Sequence, residues 1–150
     1  MARRIVYGNA FSENGWPMVD EGSCAWVVVP GTDVHLEIQQ GQPTAILRAF
    51  AADYNAFVEP LRDADSACWT PTNAVGSSNH LSGSGCDFNW NGHAFRVRGT
   101  FTADQVATIR ELLDFYEGTI FWGGDWHDPI DEMHWQLGYD TYGDPATQSF

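Results

Sequence analysis

SNHLSGSGCD, running from Ser78 to Asp87, places a His and an Asp seven positions apart with two glycines between them. A straight strand would separate His80 from Asp87 by roughly 23 Å and point them to opposite faces. Two side chains that serve one centre must converge within a few ångström, so the chain has to turn back between them. Gly83 and Gly85 permit backbone angles that a Cβ disfavours, and Ser82 and Ser84 are small and turn-compatible. The stretch therefore predicts a tight loop that aims His80 and Asp87 at one point.

Near the C-terminus a second stretch, Gly123 to Leu137 (GGDWHDPIDEMHWQL), carries Asp131 and His134 three positions apart. A single helical turn, started by Pro129, would bring them onto one face. Two His and one Asp suit Zn²⁺, because neutral imidazole and carboxylate oxygen both bind it and a catalytic zinc keeps three protein ligands and an open fourth position.

These residues carry a family resemblance. Ser78, His80, Gly83, Gly85 and Asp87 match S-x-H-x-x-G-x-[AG]-x-D, and Asp131, His134 and Trp135 match D-x-x-H followed by an aromatic. The pattern resembles the VanY-like zinc D-Ala-D-Ala carboxypeptidase and L-Ala-D-Glu endopeptidase family. The GGDW run from Gly123 to Trp126 is similar to the endopeptidase branch. FAADYNAFVEPL, from Phe50 to Leu61, is similar to the peptidase domain of lysin A endolysins from phages of actinobacteria.

The resemblance implies roles position by position. His80, Asp87 and His134 would hold the zinc, and Asp131 would act as general base. Glu132 lies next to it at a spacing that does not match. The family's upstream Arg, which steadies substrate or oxyanion, has only Arg62 as a counterpart between Ala51 and His80, without the usual tyrosine-arginine phrase. Trp126 and Asp125 are candidates for cleft lining or support, and Ser78, the first motif residue, for substrate contact. The implied substrate is the stem peptide of peptidoglycan. The implied fold is α+β, an antiparallel sheet presenting the metal site and backed by two main helices, as in the hedgehog and D-Ala-D-Ala peptidase group.

Composition bounds the rest. At 150 residues, 43% hydrophobic, the chain reads as one domain, monomeric, the N-terminal catalytic unit of a longer endolysin being one way to house it. Seven Trp and an aromatic content of 14% exceed the needs of core filling, so some rings should line a cleft. A formal charge of −13 argues against sequence-independent binding to nucleic acid or anionic lipid. It also argues that wall targeting would come from another domain. Cys24, Cys68 and Cys86 form an odd set that requires no disulfide, and Cys86 should point into the core if Asp87 points at metal. Met1 to Tyr7 is short and basic with no apolar run behind it, so the expectation is synthesis in a host cytoplasm and holin-type release to the wall. No segment is long enough for membrane insertion.

Along the chain, Met1 to Asp20 reads as a surface wrap. Ala25 to Val29 and Asp33 to Gln39 flank Pro30-Gly31 as a hairpin that turns His35 outward. From Pro43 the period is helical through Leu47, Phe50, Tyr54, Phe57 and Leu61, ending near Pro60, with Asp53 and Glu59 on a solvated face. Ala67 to Val75 reads as an irregular edge strand in which Trp69 either packs or walls the cleft. Gly85 to Trp90 and His93 to Val97 read as a hairpin across Asn91-Gly92. Thr102 and Gln105 form a capping box, and Val106, Ile109, Leu113 and Tyr116 an apolar stripe closed by Gly118. Thr119 to Trp122 and Met133 to Leu137 read as strands, His93 and His127 as non-ligands, and Asp140 to Phe150 as a polar tail.

The competing readings are a D-Ala-D-Ala carboxypeptidase, a carbohydrate-binding module with calcium and stacking Trp residues, and a peptidase-like fold without activity. Calcium prefers all-oxygen ligands, so a His at each half-site favours zinc. An acid at position 131 favours catalysis.

Overall fold

β1 (Cys24–Val28) and β2 (His35–Gln39) form the expected antiparallel hairpin, in register from Cys24 opposite Gln39 to Val28 opposite His35. This computed structural model describes residues 4–144 and residue 147. His35 is exposed beside Asp63, a solvated strand residue as its alternation predicts. α1 (Gln42–Phe57) follows, with Pro43 in its first turn, where the missing N–H costs nothing. Its buried stripe of Ile46, Leu47, Phe50, Ala51 and Tyr54 rests on the hairpin and on the central sheet.

That helix stops at Phe57, three residues before the expected end. Phe57 is exposed and Val58 takes the inward position, because the last turn fails to continue toward Pro60. Asp53 and Glu59 are not merely solvated. The Tyr116 hydroxyl donates to Asp53 at 2.6 Å, and Glu59 accepts from Tyr54 at 2.7 Å and Asn89 at 3.0 Å and lies 2.6 Å from His93 Nε2.

The second sheet is antiparallel, in the order β3 (Gly85–Asp87), β5 (His134–Leu137), β4 (Ile120–Trp122). The Asn91-Gly92 hairpin does not form. β3 ends at Asp87, and residues 91–99 run as turns, with Asn89 and Arg96 at φ 50° and 67°. The Asn89 side chain explains the break. It bonds Glu59, the Pro60 carbonyl and the Arg62 amide, so the chain turns out of the sheet before a two-residue hairpin can close. β3 takes β5 as partner instead, which sets Asp87 opposite His134. Of the expected strand 67–75, one bridge survives, Ala67 opposite Asp87.

α2 (Ala103–Phe115) begins with the predicted reciprocal capping box between Thr102 and Gln105. Ile109 is its one fully buried residue, with Val106, Leu112 and Leu113 packed at the margin and Tyr116 buried just beyond the helix end. The core between helices and sheet is aromatic. Trp135 stacks on Trp122 at 5.4 Å and lies against Phe50, Tyr54 and Phe88. Strand alternation sends Cys86, Trp135 and Leu137 into this core and leaves Asp87, His134 and Gln136 to the other face. The fold is thus α+β, and no described helix is long and apolar enough to cross a membrane.

The N-terminal segment is no surface wrap. Trp16, Met18 and Val19 are buried, and Asn14 donates to Ser84 Oγ and the Leu137 carbonyl. All three cysteines are free thiols, with Cys86 buried as its register requires. The tail expected after Asp140 lies outside the described residues beyond Asp144, except for Thr147.

Candidate metal centre

The Ser78–Asp87 loop turns as its glycines require. Gly83 sits at φ +65°, and a Cβ there would lie 2.7 Å from the Gln39 amide nitrogen. The loop closes on itself through Gly83 N–H to His80 O and Ser84 and Gly85 N–H to Asn79 O, and Ser78 Oγ accepts from the His80 amide. Ser82 and Ser84 do more than fit a turn: with Ser12 they form a buried hydroxyl chain that ties the loop to the N-terminal segment. The second half-site differs from its expected helical turn. A cis Asp128-Pro129 bond and an irregular segment lead to a turn in which the His134 amide bonds Asp131 O at 3.1 Å, and His134 opens β5. Pairing across β3 and β5, in place of a helix face, delivers the second His.

His80, Asp87 and His134 each bring a ligand atom into a cluster spanning no more than 4.8 Å. His80 Nε2 is 3.0 Å from one Asp87 oxygen, and His134 Nδ1 is 3.1 Å from the other. The far nitrogens fix both rings. His80 Nδ1 faces the Cys68 carbonyl at 2.6 Å, which can only accept, and His134 Nε2 faces Gln136 Oε1 at 3.0 Å. Gln136 Oε1 also accepts from Asn79 at 2.7 Å, which orients that amide. In their neutral forms both rings therefore carry the proton on the outer nitrogen and present a lone pair toward Asp87, the arrangement a metal ligand needs. Two imidazole nitrogens and one carboxylate suit a divalent transition-type ion, and this donor set fits one.

The electrostatics agree. Burial works against charge on Asp87, yet the charge on His80 and the contacts with both imidazoles hold it far below the usual carboxylate range in the metal-free site. Burial also opposes charge on His80, but the Asp87 carboxylate wins and lifts its pKa to about 9. Without an ion, a proton on His80 takes its place.

Asp131 is different. Burial, reinforced by the negative charge of Asp87, pushes its carboxyl up to about 6, with the two imidazoles acting the other way. Its Oδ1 is buried with no hydrogen-bond partner. A carboxylate left unsatisfied beside a metal-type cluster is poised to take a proton. Glu132 is committed elsewhere: it accepts from the Gly99 and Thr100 amides and the Thr100 hydroxyl.

A cavity of about 620 Å³ opens over the cluster and contains Ser78, Asp131 and Trp126, whose ring lies 5.3 Å from that of His134. Arg62 is not there. Its guanidinium is held by Asp65 at 2.6 Å, and it does not line the cavity, so the oxyanion role assigned to it is withdrawn. Asp125 forms an exposed ion pair with Arg110, and a neighbouring groove of about 690 Å³ shares Trp126 and Tyr139 but holds none of the three ligands. His93 is bound between Thr100 and Glu59, His127 is exposed, and Trp69 donates to the Val19 carbonyl, a packing role. Gln136, Asn79 and the Cys68 carbonyl were missed. Only Gln136 carried a signal, two residues past His134 on the same strand face.

An imidazole–carboxylate cluster able to hold a metal ion, beside an acid whose buried Oδ1 has no partner, is an arrangement suited to metal-dependent hydrolysis. Residues 71–137 match the family model for D-alanyl-D-alanine carboxypeptidase. No curated protein and no solved structure matches the chain. The matched stretch contains all three candidate ligands and Asp131, and with the cluster it supports a metallopeptidase.

Proposed function

We propose that the protein is a zinc peptidase that hydrolyses an amide bond in the stem peptide of peptidoglycan, most readily as an L-Ala-D-Glu endopeptidase. Asp131 carries this reading, a half-buried carboxylate with a raised pKa whose buried Oδ1 has no hydrogen-bond partner, next to His80, Asp87 and His134. His80, Asp87 and His134 would hold the ion, whose chemistry when bound is to acidify a water and polarise a carbonyl. Asp131 takes the proton of the attacking water as the new C–O bond forms and gives it to the amine as the C–N bond breaks. Trp126 forms one wall against which the peptide packs, and Ser78 offers a hydroxyl at the rim.

The cavity chemistry favours an endopeptidase. All seven basic residues of the chain are arginines, and none of those described lines the cavity. A carboxypeptidase must neutralise the terminal carboxylate of its substrate, and no such cation is present among the described lining residues. The matched family description favours the second reading, removal of the terminal D-Ala. In the cell the domain would serve as the catalytic unit of an endolysin, reaching the wall after holin-type release. Mass spectrometry of purified muropeptides incubated with the zinc-loaded protein separates the readings. Release of the stem peptide between L-Ala and D-Glu is the expected result, loss of terminal D-Ala favours the second, and unchanged muropeptides would sink both.

A further inference from the structure

Glu13 lies outside the stretch that matches the family model, yet its side chain lines the same cavity as His80, Asp87 and His134. The N-terminal segment is held there firmly: the Glu13 amide bonds Ser77 O at 2.8 Å, and Asn14 is stitched to Asn79, Ser84 and Leu137. The Glu13 carboxylate accepts from the Tyr139 hydroxyl on one oxygen and from Asn79 at 3.3 Å and Gln136 at 3.4 Å on the other. All three donors are uncharged. No ion pair engages Glu13 among the described residues, so its carboxylate stands without a cation at an exposed position of the cavity wall.

The other charges of the cavity are accounted for. Asp87 belongs to the metal cluster, Asp131 to proton transfer, and the adjoining 91–99 segment contributes Phe95 to the lining, while its Arg96 lies over the Phe95 ring at 5.3 Å. Glu13 is the one carboxylate with neither a cation nor a reaction to serve. We propose that Glu13 is a specificity residue that pairs with a primary ammonium on the peptide substrate, so that the cavity selects peptides carrying a free amine near the cleaved bond. This rests on the peptidase reading for its substrate, but the binding it asserts can be measured without turnover. Tyr139, whose hydroxyl reaches Glu13, would hold the carboxylate in place when an ammonium arrives.

The test uses two tripeptides of one sequence, N-terminally acetylated L-Ala-D-Glu followed by a diamino residue, so that the side-chain amine, either free or acetylated, is the single variable. Binding is followed by calorimetry in the zinc-loaded Asp131→Asn background, which holds the ion without turnover, with position 13 natural or Glu13→Gln, and hydrolysis by the proteins that retain Asp131 is followed in parallel by mass spectrometry. The expected result is roughly tenfold tighter binding of the free-amine peptide with Glu13 in place, a preference that weakens with added salt and disappears in Glu13→Gln. A general disturbance of the site would weaken both peptides alike and leave their ratio unchanged. Equal affinities with Glu13 in place, or an unchanged preference in Glu13→Gln, would overturn the proposal. Discrimination in binding without cleavage of either peptide would support the role of Glu13 and count against the peptidase reading alone.

Discussion

Asp131 and Glu132 are chain neighbours with opposite fates, and substitution should separate them. Asp131→Asn keeps the shape and removes the base, so turnover should fall by roughly 10²–10⁴-fold while bound zinc, measured by atomic absorption, stays at the natural level. Glu132→Gln should behave as a stability variant, weakening the anchor at Gly99 and Thr100 by about 1–3 kcal/mol in urea unfolding. If Glu132→Gln abolished turnover and Asp131→Asn did not, the base would have been misassigned. His80 makes metal uptake a proton exchange. Its pKa in the metal-free protein is raised to about 9, so at pH 7 the imidazole is charged and an ion must displace its proton. Apparent affinity should therefore rise about tenfold per pH unit toward pH 9 and then level off. Calorimetry in buffers of different ionisation heat should register proton release near neutrality, and no release would mean that His80 is already neutral.

At the scale of elements, β3 and β5 form the frame of the site, and a glycine in β3 leaves the room that the His134 ring occupies. A Cβ on Gly85 would meet Asn79 Cβ at 2.9 Å and His134 Cε1 at 3.0 Å. Gly85→Ala should displace the His134 ring and weaken zinc binding by at least about tenfold in a chelator competition. Gly83→Ala meets backbone and a positive φ together, so it should cost about 1–3 kcal/mol in thermal unfolding. The loop was legible because its glycines and its ligands lie within ten residues. The capping box of α2 was legible for the same reason, since both partners are three apart. The false hairpin shows the limit of such local signals. Asn91-Gly92 is a strong turn dipeptide, but Asn89 bonds residues nearly thirty positions upstream, and those contacts decide where the strand ends.

Across the whole molecule the net charge is −13, and one of its acids, the half-buried Glu59, contributes to stability while ionised. Burial pushes the Glu59 carboxyl up, but hydrogen bonds from His93, Tyr54 and Asn89 outweigh it and hold the pKa down to about 2, below its ordinary 4.5. A depressed folded-state pKa contributes stability above about pH 4.5 that is lost as the pH falls toward 2. The stability gap between the natural protein and Glu59→Gln, read from urea midpoints, should therefore be widest near pH 7 and shrink through that window. A constant gap would show that the charge is irrelevant. Zinc at a thousand times its dissociation constant should add about 4 kcal/mol to unfolding, reversed by a chelator, because the three ligands come together only in the fold. Spacing and glycines pointed to His80, Asp87, Asp131 and His134 from the chain alone, and the family resemblance sorted them into three candidate ligands and a base. The hairpin and both helices could likewise be read from the chain, following from periodicity and capping within short windows, while the α+β class came from the family resemblance and the structure agrees with it. Tertiary structure alone decided that β3 pairs with β5, that Asn89 ends β3 by bonding residues 59–62, and that Glu13 reaches the cavity. Each of these joins segments far apart in the chain, so no short window of sequence can specify it.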